Sequence, residues 1–121
     1  MRGVALINAA DSHPLIVPRV RHYLTDVLKV SDQQRLAWIQ HWLGVGLQAI
    51  ETLLANHAES GRFCHGERPT VADICLVTQV TPAKTFDCLL DAYPRVMRVY
   101  ETCMAIPAFA DAHPSKQPDT E

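Results

Sequence analysis

The chain has 121 residues, of which 48% are hydrophobic, and its formal net charge is −2. This length and composition fit one globular domain with its own core. The absence of a basic excess excludes proteins that bind nucleic acid through a positive surface. No apolar run reaches the ~18 residues of a membrane span. The scattered cysteines form no C-x-x-C pair, which indicates free thiols in a reducing compartment and predicts a cytoplasmic protein; they are Cys64, Cys75, Cys88 and Cys103.

The first predicted element is a helical region over residues 3–29 with an interruption in its middle. Apolar residues recur at helical spacing on both sides of Pro14 and Pro18. A proline inside a helix removes one backbone hydrogen bond and clashes with the preceding turn. We therefore expect a kink or break near residues 13–18.

A long second helix is predicted from about Asp32 to Asn56. It begins after Ser31, which has the spacing of a capping box with Gln34. Its core stripe repeats every three or four residues and consists of Leu36, Ile39, Leu43, Leu47, Ile50 and Leu54, widened by Trp38 and Trp42. Gly44 and Gly46 lie within this helix, where each costs up to about 1 kcal/mol relative to alanine. Either they permit close approach of another helix, within the chain or at a subunit contact, or they are tolerated small residues.

The third predicted helix, about Val71 to Thr85, follows a connection that ends at Pro69. Thr70 and Asp73 have the spacing of a capping box, in which each side chain accepts a hydrogen bond from the other residue's backbone. The residues after it are apolar almost all round, which predicts a central, buried helix. We therefore interpret Asp73 as a structural carboxylate and not as a catalytic acid or a metal ligand.

The rest of the chain predicts two further helices and a tail. The fourth helix runs from about Pro94 to Met104, and a short last helix begins at Pro107. A polar, loose tail is expected from His113 onward. The fold is thus predicted to be all-α, with about five helices and no strand, in a domain over residues 1–112 followed by a tail over residues 113–121.

Motifs for chemistry are scarce in this sequence. The six histidines form no metal-binding spacing, so no metal site is expected, and no nucleophile-elbow, P-loop or dinucleotide motif is present. Cys64 lies between Arg62 and Arg68, which makes it the best candidate for an activated thiol. An ordinary loop thiol remains the favoured interpretation, Cys75 is expected in the core, and no catalytic residue is assigned.

Three segments, in the same order, carry a family resemblance over nearly the whole chain. Residues 66–73, GERPTVAD, resemble the G-x-x-P-T-x-A-D segment in the helical C-terminal domain of glutathione transferases. Residues 11–15, DSHPL, with Arg19 shortly after, are similar to zeta-class members, the maleylacetoacetate and maleylpyruvate isomerases. The proline-punctuated ending from Pro107 to Asp119 is similar to the same class.

The resemblance implies a helical bundle that works beside another domain. In this family a thioredoxin-like N-terminal domain holds and activates glutathione, and that domain is expected to be absent from this chain. The chain would then shape the acceptor-substrate pocket and the dimer interface without being catalytic alone. Glutathione is the implied cofactor, and its binding to this chain by itself is uncertain. The alternative is a free-standing helical module that binds a protein or a small molecule and has lost the enzyme activity.

The resemblance also implies a set of substrate- or glutathione-binding residues, which are His13, Arg19, Lys84 and Phe86. Two departures from the family pattern affect this set. Ile16 and Val17 replace a polar pair that reaches glutathione in relatives. Thr85 replaces the arginine before the matching phenylalanine and leaves Lys84 as the nearest cation, which is a point charge without the guanidinium fork.

Partners follow from the same comparison with the family. Ile16, Val17 and Pro18 are expected on the face that a thioredoxin-like domain would cover, and an exposed apolar patch needs a partner. We therefore predict self-association, as a homodimer, through the first two helices or through this interdomain face. A thioredoxin-like domain is a possible partner, and neither nucleic acid nor a membrane is expected.

Overall fold

The computed structural model describes residues 2–119 and contains α-helices with no strand in that range. The helices are α1 Arg2–Leu6, α2 Pro18–His22, α3 Asp32–Asn56, α4 Val71–Thr85, α5 Pro94–Met104 and α6 Pro107–Asp111. The all-α prediction is confirmed. Six helices replace the predicted five because the first helical region is two separate helices. Among these helices, none within residues 2–119 combines the length and apolar character needed to cross a bilayer.

The break in the first region lies where the prolines predict it. After α1 the chain continues as a wider π-helical stretch, Ile7–Ser12, and a 3-10 turn, His13–Leu15. Val17 is extended, as expected for a residue before proline, and Pro18 is the first residue of α2. A second π-helical stretch, Tyr23–Val27, completes the region.

The long helix α3 is the centre of the bundle. The Ser31 side chain accepts from the backbone N–H of Gln34, and the Gln34 side chain accepts from the Ser31 N–H at 2.8 Å, so the predicted capping box is present. The buried face of α3 packs against α4, α5 and the π-helical stretch after α1. Its main contribution to the core is Ile39, Leu43, Leu47, Ile50 and Leu54.

Gly46 provides the close approach that its position in α3 suggested. A Cβ at this residue would lie 2.6 Å from Nε2 of Gln79 and 2.7 Å from Oγ of Ser12. Gln79 donates to Ser12 Oγ at 2.6 Å, and Ser12 donates to the carbonyl of Trp42 at 3.0 Å. This glycine therefore makes room for a buried polar network within the chain. At Gly44 the nearest atom would be 3.6 Å away, which is ordinary contact.

The prediction that α4 is buried all round is wrong. Its buried face carries Ala72, Asp73, Leu76, Gln79, Val80 and Ala83. On the opposite side Val71 and Ile74 are 66% and 53% exposed, and Cys75 is only half-buried. The helix packs against α1, α3 and α5, which leaves one apolar face without a covering element in residues 2–119.

The expected exposure of Ile16 is also wrong. Ile16 is 5% exposed and belongs to the core, whereas Val17 is half-buried and Pro18 is exposed. The 3-10 turn directs the Ile16 side chain into the core, and the Ile16 backbone N–H donates to the His13 carbonyl at 3.1 Å. Trp38 fixes the same turn, because its indole N–H donates to the Leu15 carbonyl at 2.8 Å.

The start of the polar tail is ordered, which corrects the expectation of a loose tail from His113. Pro114–Lys116 form a 3-10 turn whose Ser115 backbone N–H donates to the His113 ring. Lys116 pairs with Asp111 at 3.3 Å. The last two residues of the predicted tail lie outside the described residues.

Candidate functional site

A cleft of about 650 Å³ runs along the second half of α4. The 3-10 turn after Ser12 and helix α2 form one side, and the chain from α5 to the final 3-10 turn forms the other. The lining residues are His13, Arg21, Ile74, Val77, Thr78, Thr81, Pro82, Thr85, Phe86, Met104, Phe109, Ala112, His113, Pro114 and Ser115.

The lining combines an apolar wall with positive and neutral polar groups. The wall is made of Ile74, Val77, Phe86, Met104 and Phe109, and no Asp or Glu of the described chain takes part. Arg21 supplies a permanent positive charge, and the imidazoles of His13 and His113 also line the cleft. A small organic anion with a short carbon chain fits this chemistry, because such sites pair apolar contact with a few oriented polar groups.

Arg21 is the strongest anion-binding group in the cleft. Its guanidinium carbon lies 5.6 Å from the centre of the Phe86 ring. Its Nε is buried and has no hydrogen-bond partner, and it makes no ion pair with a carboxylate in residues 2–119. A guanidinium held against an aromatic face keeps its fork of N–H donors in one plane, which suits bidentate binding of a carboxylate.

The threonine hydroxyls of α4 cannot take over this role. Thr78, Thr81 and Thr85 donate to the carbonyls of Cys75, Val77 and Thr81 at 2.9, 2.9 and 3.1 Å. Their protons are therefore already used within the helix, and Thr78 Oγ1 also accepts from the Asn8 side chain at 2.8 Å. Recognition of an anion consequently depends on Arg21 and the imidazoles.

Two histidines, His13 and His113, belong to the cleft lining. His113 accepts the Ser115 backbone N–H at Nδ1, 3.3 Å away, so its neutral ring carries the proton on Nε2. His13 is exposed at the start of its 3-10 turn. Both rings can donate to a bound oxyanion.

The structure brings together only part of the residue set that the resemblance implied. His13 and Phe86 line the cleft. Arg19 is exposed on α2 outside the lining, and Lys84 is exposed with its Nζ 5.0 Å from the Tyr100 ring centre. Arg21 was missed. Residues two apart on a helix do not face each other, so Arg19 and Arg21 cannot both face the cleft, and only the docking of α2 decides between them.

The other end of α4 is closed by its own hydrogen bonds. Asp73 is fully buried, and its Oδ2 accepts from the Thr70 N–H at 2.7 Å and the Thr70 hydroxyl at 2.8 Å. Its Oδ1 accepts from the Cys64 N–H at 2.8 Å. The predicted capping box is present and extends to the preceding loop, which leaves this carboxylate no free geometry for catalysis.

The buried thiols are unsuited to nucleophilic chemistry. Burial, and next the charge of Asp73, raises the pKa of Cys64 far above its usual range. The same two causes raise the pKa of Cys103 to about 12. The arginines beside Cys64 in sequence therefore do not activate it, because the carboxylate that faces the thiol is the closer charge. Cys64 is thus excluded as the activated thiol.

A second, shallower concavity lies along α3, beside the start of the π-helical stretch that follows α1, with a volume of about 750 Å³. It is lined by Ile7, Gln40, His41, Gly44, Val45, Gln48, Ala49, Thr52 and Leu53. Val45 and Leu53 are exposed apolar residues on this face. The groove contains no charged side chain, so it suits contact with another surface better than it suits chemistry.

Comparison with known proteins gives a consistent set of similarities. A sequence model described as glutathione S-transferase, C-terminal domain, matches residues 18–111. Maleylacetoacetate isomerase from Pseudomonas aeruginosa PAO1 is 43% identical over 119 residues, which cover 98% of this chain and 54% of that protein. The chain spans about half the length of the curated relatives it matches.

Solved structures agree with the sequence matches. Maleylacetoacetate isomerase from Methylobacterium extorquens AM1, with bound malonate and GSH, superposes with a TM-score of 0.94 at 38% identity, covering 99% of this chain and 56% of that one. A maleyl pyruvate isomerase, a bacterial glutathione S-transferase in the zeta class, gives 0.95 at 36% identity, with coverage of 99% and 57%.

Proposed function

This chain belongs to the glutathione S-transferase family, as a C-terminal helical domain with zeta-class relatives, and we propose that it forms the acceptor-substrate half of an isomerase for a cis-dienoic diacid such as maleylacetoacetate or maleylpyruvate. The observation that carries this proposal is the cleft along α4, which has an apolar wall, an unpaired Arg21 and no carboxylate among its described lining residues. The functional domain proposed for this chain is residues 1–112.

The proposed reaction divides its work between two parts of the enzyme. Bound glutathione would supply a thiolate for reversible addition to the cis double bond, so that the substrate could rotate about the resulting single bond before elimination gave the trans product and the free thiolate. In this chain Arg21 holds a substrate carboxylate, and Phe86 with the apolar wall packs the carbon chain. Glutathione is bound and activated chiefly by a thioredoxin-like partner domain, with His13 contributing from the rim of the cleft.

Two observations support this function over that of a free-standing module. Malonate, a dicarboxylate, accompanies GSH in the similar Methylobacterium extorquens protein. The departures that favoured the alternative were the apolar pair Ile16–Val17 and Thr85, and the burial of Ile16 in the core explains its apolar side chain without any loss of function. Arg19 and Lys84 remain predicted ligand-binding residues, and either would have to reach a ligand that extends beyond the cleft lining.

The test of the function joins this chain to the N-terminal half of the Pseudomonas aeruginosa enzyme and measures glutathione-dependent isomerisation. We expect activity in the chimera. Arg21→Met should lower kcat/KM by about 30-fold or more, the value of a charged hydrogen-bonded contact of roughly 2–3 kcal/mol. Arg35→Met is the matched control, because Arg35 lies on α3 outside the cleft lining and pairs with Asp32 at 3.2 Å, and it should change kcat/KM less than about threefold. An equal loss in both variants would refute the assignment of Arg21.

A second test uses the chain alone. Calorimetric titration with malonate, and separately with reduced glutathione, reports whether the cleft is preformed. Trp38 fluorescence provides a second signal, because its indole N–H binds the Leu15 carbonyl two residues after His13. We expect saturable malonate binding that Arg21→Met abolishes. Glutathione binding of the same strength in wild type and Arg21→Met would place the peptide elsewhere.

We also propose that the groove along α3, beside Ile7, is the dimer contact. It carries exposed Val45 and Leu53 and no charged lining residue, and this supports contact with the same face of a second copy. Val45→Glu should convert the dimer to a monomer by ultracentrifugation, because it would bury a charge without a partner. Val71→Glu, on the exposed face of α4, is the control and should leave the mass unchanged.

A further inference from the structure

Three metal-ligating side chains converge in the connection between α3 and α4, away from the cleft. Nε2 of His57 lies 3.0 Å from Nδ1 of His65, and that same Nδ1 lies 3.4 Å from Oε2 of Glu59. One ligand atom from each residue falls within 4.8 Å of the other two. The two imidazole rings are stacked, with centres 5.3 Å apart and planes at 27°.

The loop that carries these residues is held in place by its own hydrogen bonds. The backbone N–H of Gly66 donates to the Glu59 carbonyl at 2.8 Å, and the Phe63 N–H donates to the Gly66 carbonyl at 3.1 Å. Gly66 has a φ of +67°, a conformation that glycine adopts without steric cost. Phe63 and Cys64, which precede His65, are buried. The two histidines are therefore positioned by the fold before any ligand arrives.

The facing nitrogens make this cluster a donor set for a cation. Only one proton fits between His57 Nε2 and His65 Nδ1, so at least one nitrogen presents a lone pair to the other groups. A tetrahedral metal ion with bonds of about 2.0–2.1 Å separates its ligand atoms by roughly 3.3–3.4 Å. The observed 3.0 and 3.4 Å lie close to this separation. The exposed Glu59 side chain can close the third edge by rotation.

We propose that His57 Nε2, His65 Nδ1 and a Glu59 carboxylate oxygen bind one divalent transition-metal ion of the Zn²⁺ class, with water in the fourth position. Two imidazoles and a carboxylate are ligands that Zn²⁺ accepts. None of the three residues lines the cleft. The ion would therefore join the end of α3 to the loop before α4 and stabilise the folded state, independently of the proposed isomerase function.

This proposal opposes the expectation from sequence that no metal site exists. That expectation rested on the lack of a helical H-x-x-x-H spacing. The loop instead brings together His57 and His65, which are eight residues apart, with Glu59 between them in sequence. This spacing does not match one face of a helix, so a search for helical metal-binding spacings does not find it. The expectation of no metal site and the proposed site exclude each other, and a measurement of metal binding decides between them.

The test is a titration of the chain, purified without a histidine tag, with Zn²⁺ in competition with a chromophoric chelator. We expect one ion per chain. His57→Gln and His65→Gln should each weaken binding by at least about tenfold, since even the loss of a residue that only supports a ligand costs 10–100-fold. His22→Gln, an exposed histidine on α2, is the control and should bind as the wild type does.

Nitrogen NMR of the wild-type histidine rings keeps the proposal testable if a variant is poorly folded. Zn²⁺ should shift Nε2 of His57 and Nδ1 of His65 and leave the other histidines unchanged. The midpoint of thermal unfolding should rise with Zn²⁺ and fall back with EDTA. Binding through thiols, with unmoved histidine signals, would overturn the proposal, as would equal affinity in the wild type and both glutamine variants.

Discussion

The two ends of helix α4 use polar groups in opposite ways. At the N-terminal end Asp73 is fully buried, and its two oxygens accept hydrogen bonds from Thr70 and Cys64. Along the second half the helix faces a cleft where Arg21 has a buried Nε without a partner. One end completes its hydrogen bonds within the chain, and the other leaves donors available.

This difference separates a folding role from a binding role. A buried polar group that lacks a partner costs roughly 1–3 kcal/mol, so a chain keeps one only where something else compensates for it. At the capped end, Asp73 accepts hydrogen bonds at both oxygens, so this carboxylate does not carry the cost of an unpartnered buried group. In the cleft, the unpartnered Nε of Arg21 carries this cost, and a bound anion that accepted its hydrogen bond would remove it. Substitutions at the capped end of α4 should therefore lower the free energy of unfolding, whereas substitutions in the cleft should weaken anion binding.

The largest effect is expected from Asp73→Ala. The change removes a cap worth about 1 kcal/mol and leaves the buried N–H of Cys64 without an acceptor, at roughly 1–3 kcal/mol more. We expect the free energy of unfolding to fall by about 3 kcal/mol, measured by urea denaturation with an unchanged m-value.

Ser31→Ala provides the matched control for the buried cap. Ser31 forms the same motif with Gln34 at the start of α3, and both residues are exposed. Water can replace the lost bond there, so the loss should be about 1 kcal/mol. Equal losses at Ser31 and Asp73 would show that burial does not set the energy of the cap.

Gly46→Ala, in α3, tests the contact with the middle of α4, where the Gln79 side chain donates a hydrogen bond to Ser12. A methyl group 2.6 Å from Gln79 Nε2 overpacks a buried network, which costs about 1–3 kcal/mol, while the better helix propensity of alanine returns up to about 1 kcal/mol. We expect a net loss of about 1–2 kcal/mol by urea unfolding. Gly44→Ala, with its nearest atom 3.6 Å away, should be neutral or stabilising, and a loss there instead would contradict the assignment.

The thiols near the cap give a smaller effect that depends on pH. Cys103 has a pKa of about 12 in the folded chain, raised from 9.0 by burial and Asp73. Between pH 9 and about pH 12 the unfolded thiol ionises while the folded thiol keeps its proton. The free energy of unfolding therefore falls as the pH rises, by at most about 1.4 kcal/mol per pH unit. Cys103→Ser should reduce this slope, as measured by urea denaturation at several pH values between 9 and 12. An unchanged slope in the variant would contradict the contribution of this thiol.

Local chemistry in the sequence predicted most of the helix bounds. Ser31, Thr70 and Pro94 begin helices at the predicted positions because caps and proline act within one turn. The stripe of α3 predicted its buried face for the same reason. The break before Pro18 needed only the missing N–H and the restricted residue before it.

Tertiary placement accounts for what the sequence did not reveal. Ile16 is buried because the turn after His13 folds inward, and no local pattern states that. Arg19 and Arg21 differ only by the side of α2 on which they lie. The cleft joins residues about one hundred positions apart, from His13 to Ser115. Its existence depends on where α2 and α6 are placed beside α4, which neither periodicity nor capping determines.

The smallest effect on stability should come from Arg21→Met, which sharpens the contrast with Asp73. Methionine keeps the apolar stem and the contact with Phe86 and removes the unpartnered Nε. Removing the unpartnered Nε relieves roughly 1–3 kcal/mol, but the variant also loses the cation–π attraction to Phe86, about 0.5–2 kcal/mol. Because the two largely offset each other, we expect the free energy of unfolding to change by less than about 0.5 kcal/mol, while malonate binding to the same variant falls at least tenfold. Because the two readouts come from one protein sample, a loss of binding cannot be attributed to unfolding. A loss of stability comparable to that of Asp73→Ala, with binding retained, would assign Arg21 to the fold and leave the cleft without its anion-binding group.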